Sequence, residues 1–147
     1  MLSNTCKYGI RAMIYLAVNQ KENSNIGIKT ISKDLDLPSP FLGKILQNLV
    51  KEGILSSTKG PHGGFTLKKD PYDISMYDIV KVIDGESVFE DCFLGLKICK
   101  ENPEHADDCE FRKTSHGVRL QLKKAYKKQT VGSFADSINE SDKNIKY

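Results

Sequence analysis

Leu37-Pro38-Ser39-Pro40-Phe41-Leu42-Gly43-Lys44-Ile45-Leu46-Gln47-Asn48-Leu49-Val50-Lys51-Glu52-Gly53 is the stretch whose reading decides the fold. Ser39 followed by Pro40 predicts a helix start with Ser39 as N-cap, because serine accepts a bond from an orphan N–H and proline has none to waste. Leu42, Ile45, Leu46, Leu49 and Val50 then fall on one helical face, with Lys44, Gln47, Asn48 and Lys51 opposite. Gly53 is placed to end the helix in a left-handed conformation. Upstream, Ile28, Ile31 and Leu35 recur at i, i+3 and i+7, which predicts a helix over Ile28–Asp36 that Leu37-Pro38 interrupts. Two short helices across a tight turn match a helix-turn-helix, whose second helix presents its N-terminal part to base edges in the major groove. That nominates Ser39, Pro40, Phe41, Lys44 and Gln47. Glutamine pairs bidentately with adenine, lysine reaches guanine, and an apolar ring presses on a thymine methyl. The helix pair alone fits an ordinary helical hairpin with a solvated polar face equally well.

The segment downstream shifts that balance. Ile54-Leu55 and Phe65-Thr66-Leu67 read as short strands around Ser57-Thr58-Lys59-Gly60-Pro61-His62-Gly63-Gly64. Glycines permit close backbone approach to a ligand, and free N–H groups beside a lysine suit phosphate oxygens. Lys59, His62 and Gly63 are therefore expected to contact DNA from a wing. A plain exposed turn would use the same glycines and proline but would not explain why it follows a helix-turn-helix so closely.

At either side of this core the chain is helical in pattern. Ile10, Met13, Ile14, Ala17 and Val18 are periodic rather than continuous, so the N-terminal stretch reads as an amphipathic helix and not as a signal peptide. Ser75 is a cap for a helix with Met76, Ile79, Val80 and Ile83 on one face, which Gly85 stops. The net charge of +3 and pI near 8.6 are only mildly basic, so a nucleic-acid footprint must be local. No apolar run approaches the roughly 20 residues of a membrane span, and a cytoplasmic location is expected, where free thiols and metal sites outnumber structural disulfides.

The C-terminal half changes character twice. Glu90 to Glu110 holds seven acidic residues, two lysines and three of the four cysteines. Arg112 to Lys128 holds seven Lys or Arg and no acid, on a predicted helix with Val118, Leu122 and Ala125 in line. A long helix with a narrow apolar stripe commonly finds its burial in a second subunit. Its basic face has three readings: DNA contact, a solvated face, or intersubunit ion pairing. Ser137 to Tyr147 reads as a polar, frayed tail. Cys92, Cys99 and Cys109 offer soft thiolate ligands suited to an iron–sulfur cluster or zinc, although their spacing matches no compact zinc knuckle. Acidic surroundings disfavour a bare thiolate and favour ligation over a fast thiol sensor, while incidental thiols, zinc and a thiol–disulfide switch stay as alternatives. Cys6 lies beside the apolar face of the first helix and reads as a small buried hydrophobe.

Leu2-Ser3-Asn4-Thr5-Cys6-Lys7-Tyr8-Gly9-Ile10-Arg11-Ala12-Met13, Pro38-Ser39-Pro40-Phe41-Leu42-Gly43-Lys44-Ile45-Leu46 and Lys59-Gly60-Pro61-His62-Gly63-Gly64-Phe65 together resemble the Rrf2 family of bacterial winged-helix regulators, over about residues 1 to 136. The resemblance implies a homodimer on a partly palindromic operator, usually repressing. It also implies cluster ligands at Cys92, Cys99 and Cys109, holding a [2Fe-2S] or [4Fe-4S] centre, although some family members lack the cysteines and act through partner proteins. The chain departs from the family in three places. Asn102 to Asp108 looks like an insertion, Arg112 stands where some relatives carry a histidine, and Lys7 stands where others carry a carboxylate ligand from the partner subunit. The fourth ligand therefore falls to His105, His116, an acid such as Asp108 or Glu110, or a small molecule.

The expected fold is mainly α with a small β-hairpin: a winged helix-turn-helix domain over 1–85, a cysteine-containing loop over 86–110, a dimerisation helix over 111–136 and a tail over 137–147. An enzyme is not expected, since there is no Cys-x-x-Cys pair, no phosphate-binding Gly-rich loop, and no nucleophile set around His62, His105 or His116. A protein-interaction module is the third reading, against which Lys44, Gln47 and Lys59 argue.

Overall fold

A computed structural model of the chain describes residues 1–21, 24–91, 94 and 109–140. Helix α1 (Asn4–Asn19) is the hub, packing on α2 (Ile28–Leu35), α3 (Ser39–Lys51), α4 (Met76–Ile83) and the last helix, α7 (Val131–Glu140). Its start is fixed twice. Ser3 accepts from the Cys6 N–H at 3.0 Å, and Asp84 at the end of α4 accepts from Ser3's own N–H and hydroxyl at 2.8 and 2.5 Å. A Cβ on Gly9 would lie 2.3 Å from the tip of Ile83, so glycine there lets α1 and α4 approach closely.

The helix-turn-helix is present, with one local correction. Ser39 is not the N-cap of α3: Pro38 is, and its carbonyl accepts from Phe41 and Leu42 at 3.1 and 3.0 Å. Pro38 already holds the extended backbone a cap needs, so Ser39 enters the helix and donates its hydroxyl to Ser32 of α2 at 2.7 Å. Ser32 in turn donates to the Leu37 carbonyl, which ties the turn together. Asp36 takes the left-handed conformation that ends α2, the only non-glycine to do so among the described residues.

At its far end α3 closes as expected. Gly53 has φ +71°, its N–H reaches the Val50 carbonyl, and the Ile54 N–H reaches Leu49, both at 3.0 Å. This double bond is a Schellman stop, with Ile54 and Leu49 both buried over it. Strands β1 (Leu55–Thr58) and β2 (Gly64–Leu67) pair antiparallel, Leu55 opposite Leu67 and Thr58 opposite Gly64. Phe65 also exchanges two backbone bonds with Ile26, so the hairpin is fastened to the chain just before α2.

Beyond a single 3-10 turn (Pro71–Asp73), Ser75 and Asp78 form a reciprocal capping box at the head of α4. The short α5 (Ser87–Glu90) and the long α6 (Glu110–Lys128) flank the cysteine-bearing segment, and Phe89 of α5 packs between Tyr77 of α4 and Tyr126 of α6 with ring centroids 5.3 and 5.2 Å apart. The C-terminal helix differs from expectation. It breaks at Gln129-Thr130, where Met76 bonds to Gln129 and Val131 to Ile74 at 2.9 Å, and restarts as α7. The expected boundary at 136 falls inside α7. Val131 and Ala135 are buried and Ile138 packs on the same core, because i, i+4, i+7 spacing turns all three toward α1. Residues 141–147 of the expected tail lie outside the described residues.

Candidate functional site

An open cleft of about 620 Å³ lies between the start of α2, the exposed face of α3 and the wing. The structure brings Gln47, Lys59 and Gly63 together along it, and adds Lys29, Ser57 and Thr58, which sequence reasoning did not nominate. Lys29 sits one residue inside α2, whose cap is Gly27 and so supplies no side chain to the first amides of the helix. A glycine cap beside a lysine was the available signal. Pro40, Phe41 and Lys44 are exposed on the same helix as Gln47 but outside the cleft lining, and Ser39 is half-buried and engaged by Ser32. Phe41 meets Tyr8 of α1 edge-on at 5.9 Å, so its ring is braced from behind while still open to solvent. His62 lies exposed at the wing tip, and the cleft lining does not include it.

Among the described residues no carboxylate pairs with Lys29, Lys44 or Lys59. The wing glycines serve geometry more than ligand approach. A Cβ on Gly63 would lie 2.2 Å from the Thr58 carbonyl oxygen, and one on Gly64 2.4 Å from that of Ile26. Backbone of the hairpin and of the chain just before α2 excludes side chains there. Gly60 alone has open space, with φ +109° at the turn. A helix face carrying Gln47 and Lys44 beside a rigid, cationic hairpin can follow a groove and hold phosphates at its rim.

The second region lies around α5 and α6. Cys109 is half-buried at the N-cap of α6, where the helix dipole favours negative charge, and its carbonyl accepts from Lys113 at 3.1 Å. Cys92, Cys99 and His105 lie outside the described residues. His116 is exposed on α6, seven residues after Cys109, in a cleft of about 720 Å³ lined also by Arg112, Lys113, Arg119 and Lys123. Among the described residues no three His, Cys, Asp or Glu side chains converge. Cys109, a sulfur donor at a helix N-terminus, is the described residue that fits a cluster, which takes cysteine ligands.

Part of the basic run of α6 is engaged by the fold, while Lys113, Lys124, Lys127 and Lys128 stay exposed. Arg119 is 5% exposed, and Lys123 pairs with Glu90 at 3.0 Å beneath the Tyr77 ring, over which Lys127 also lies at 4.8 Å. Phe111, Val118 and Leu122 form the stripe left outside, 41%, 58% and 36% exposed. Cys6 is fully buried, as expected. Burial first, then the neighbouring Asp84 charge and a hydrogen bond to it, push its thiol up to about 12.

No helix among the described residues is long and apolar enough to cross a membrane. A model of the Rrf2 family, described as an iron-dependent transcriptional regulator, matches residues 2–137. The chain is 30% identical to an HTH-type transcriptional regulator of Aquifex aeolicus, over 99% of this chain and 96% of that one. In fold it is similar to CymR, the global cysteine regulator of B. subtilis (TM-score 0.74, 22% identity, 93% of this chain and 97% of the other). It is also similar to IscR of T. potens (TM-score 0.70, 23% identity, 97% and 91%). With the helix-turn-helix, the wing and the match along nearly the whole chain in agreement, this protein belongs to the Rrf2 family of DNA-binding transcriptional regulators, which are not enzymes.

Proposed function

We propose that the protein is a homodimeric repressor whose affinity for a partly palindromic operator is set by an iron–sulfur cluster on Cys92, Cys99 and Cys109. The DNA contacts fall to Ser39, Pro40, Phe41, Lys44 and Gln47 of α3 and to Lys59, His62 and Gly63 of the wing, with Lys29 added at the start of α2. The observation that carries the DNA half is the cleft that Gln47 shares with Lys29 and Lys59, neither of which has a carboxylate partner among the described residues. The exposed Phe111, Val118 and Leu122 stripe supports a second copy of the chain on α6. Two recognition helices should then stand about 34–36 Å apart, one duplex turn.

Some Rrf2 relatives bind such clusters, and Cys109 at the head of α6 is the described member of the ligand set. When bound, a cluster supplies redox- and iron-sensitive chemistry. This chain's part is linkage, in which ordering the ends of α5 and α6 favours one placement of the recognition helices over another. His105, His116, Asp108 and Glu110 remain the fourth-ligand candidates. The fold likeness to CymR favours a second reading, since CymR relatives lack clusters: the same regulator governed by thiol oxidation, zinc or a partner protein.

Fluorescence anisotropy on operator and scrambled duplexes across a salt series tests the DNA half. Lys59→Ala should weaken binding to both duplexes and reduce the salt slope by about one unit, whereas Gln47→Ala should erode the preference between them. Unchanged affinity and preference in both variants would overturn the assignment.

A further inference from the structure

We propose that Arg119 is the positioning residue of the cysteine segment, a single buried guanidinium that fastens the segment's two ends to one another. The inference rests on reading that segment as the sensor, and its geometry lies wholly in residues on either side. Nη1 of Arg119 donates to the carbonyl of Glu90 at 3.3 Å and to that of Asp91 at 3.5 Å, while Nη2 donates to the carbonyl of Arg112 at 3.3 Å. Glu90 and Asp91 immediately precede Cys92, and Arg112 follows Cys109 by three residues. The two groups of acceptors are 21 residues apart at their closest in sequence and share one side chain.

Burying a guanidinium is costly unless its donors are met, and only Arg offers a planar fork able to reach separate acceptors at once. Arg119 is 5% exposed and bonds to peptide carbonyls, so its position is explained by what it holds rather than by a salt bridge. Ser115, also buried, donates to the same Arg112 carbonyl at 3.3 Å, which doubles the anchor on the α6 side. On the α5 side, Phe89 is wedged against Tyr77 and Tyr126. The clasp therefore joins the ends of the segment at the point where α5 and α6 rest on α4. Asp91 precedes Cys92 in sequence, so Arg119 sets the residue from which the segment departs relative to the head of α6.

Hydrogen–deuterium exchange on the reduced, metal-free full chain tests this, comparing wild type with Arg119→Met and Arg119→Lys. The Phe89 and Asp91 amides, bonded to Glu86 and Ser87, report on one end, and the Lys113 amide, bonded to Cys109, on the other. Arg119→Met should speed exchange at both ends together by about tenfold, with α3 and the wing unchanged and Lys giving partial protection. A change at one end only, or at neither, would overturn the clasp. Should the Met variant not fold, the Lys variant carries the same comparison. Iron and sulfide content after anaerobic, iron-replete expression adds a readout that fold maintenance alone would not move. Arg119→Met should lose iron while its metal-free form binds DNA as wild type does. Equal loading of the two would overturn the positioning role. An iron-free wild type, with both ends still loosening together in Arg119→Met, retires the cluster and leaves the clasp standing.

Discussion

The α3–wing face and the α5–α6 face are both rich in cations, and they dispose of them in opposite ways. On the first, Lys29, Lys44 and Lys59 have no carboxylate partner among the described residues, and the backbone around them is held by internal bonds such as the Phe65–Ile26 bridge. On the second, Arg119 is sunk among peptide carbonyls and Lys123 is paired to Glu90. A cation left without an acceptor on a rigid frame is available to a phosphate. A cation already spent on its own chain holds structure. In sequence the basic run from Arg112 to Lys128 allows DNA contact, solvation and ion pairing alike, and the fold decides between them for two of its seven cations. Packing sinks Arg119 into the fold and ties the half-buried Lys123 to Glu90, while Lys113, Lys124, Lys127 and Lys128 stay exposed.

The largest effect that would break this contrast comes from the aromatic wedge. Phe89→Ala should cost about 3–5 kcal/mol in urea unfolding, the usual penalty for truncating a buried ring, and should loosen α5 and α6 before the wing. If α3 loosened equally in exchange experiments, the two faces would not be separately held. Next in size, Val118→Glu with Leu122→Glu should yield monomers by sedimentation and lower operator affinity on the order of 100-fold, the loss expected when two linked sites bind singly. A variant that stays dimeric would place the subunit contact elsewhere. A smaller and sharper test sets Lys29→Ala against Lys123→Ala. The first should weaken all DNA binding several-fold and reduce the salt slope by about one unit, and the second should leave both unchanged within about twofold.

The last test concerns the buried thiol and is confined to alkaline pH. Cys6 is held protonated in the fold up to about 12, against 9.0 for a free thiol. Between those values the unfolded chain loses a proton that the folded chain keeps, so this contribution to stability is intact below pH 9 and declines above it. The ceiling is one proton, about 1.4 kcal/mol per pH unit. Cys6→Ala should unfold with a flatter pH dependence than wild type between pH 9 and 12, and a parallel pair of curves would contradict the assignment.

The same contrast governs what could be read in advance. The helix-turn-helix and wing are legible because their signals are local: apolar spacing in α3, Gly53 at its stop, Ser75 with Asp78 at the head of α4. The misplaced cap at Ser39 shows the limit, since Pro38 competes for the same role one residue earlier and Ser32 claims the hydroxyl. Helix α7 was legible in principle. Val131, Phe134, Ala135 and Ile138 fall at i, i+3, i+4 and i+7, but the expected boundary at 136 joins the first three to α6 and leaves Ile138 in the polar tail. The inward turn of Arg119 had no local signal at all, because its acceptors lie across a segment of the chain and only the packed fold brings them together.

In the proposed regulator the cysteine segment sets the affinity of the DNA face. The most direct test of this is operator affinity measured anaerobically on wild type and on Cys92→Ala/Cys99→Ala/Cys109→Ala, each prepared from iron-replete cells with iron and sulfide counted per subunit. The account predicts a coloured wild type whose affinity changes when its iron is removed, and a colourless triple variant fixed at the iron-free value. A wild type that carries iron and sulfide yet binds the operator identically with and without them would contradict it.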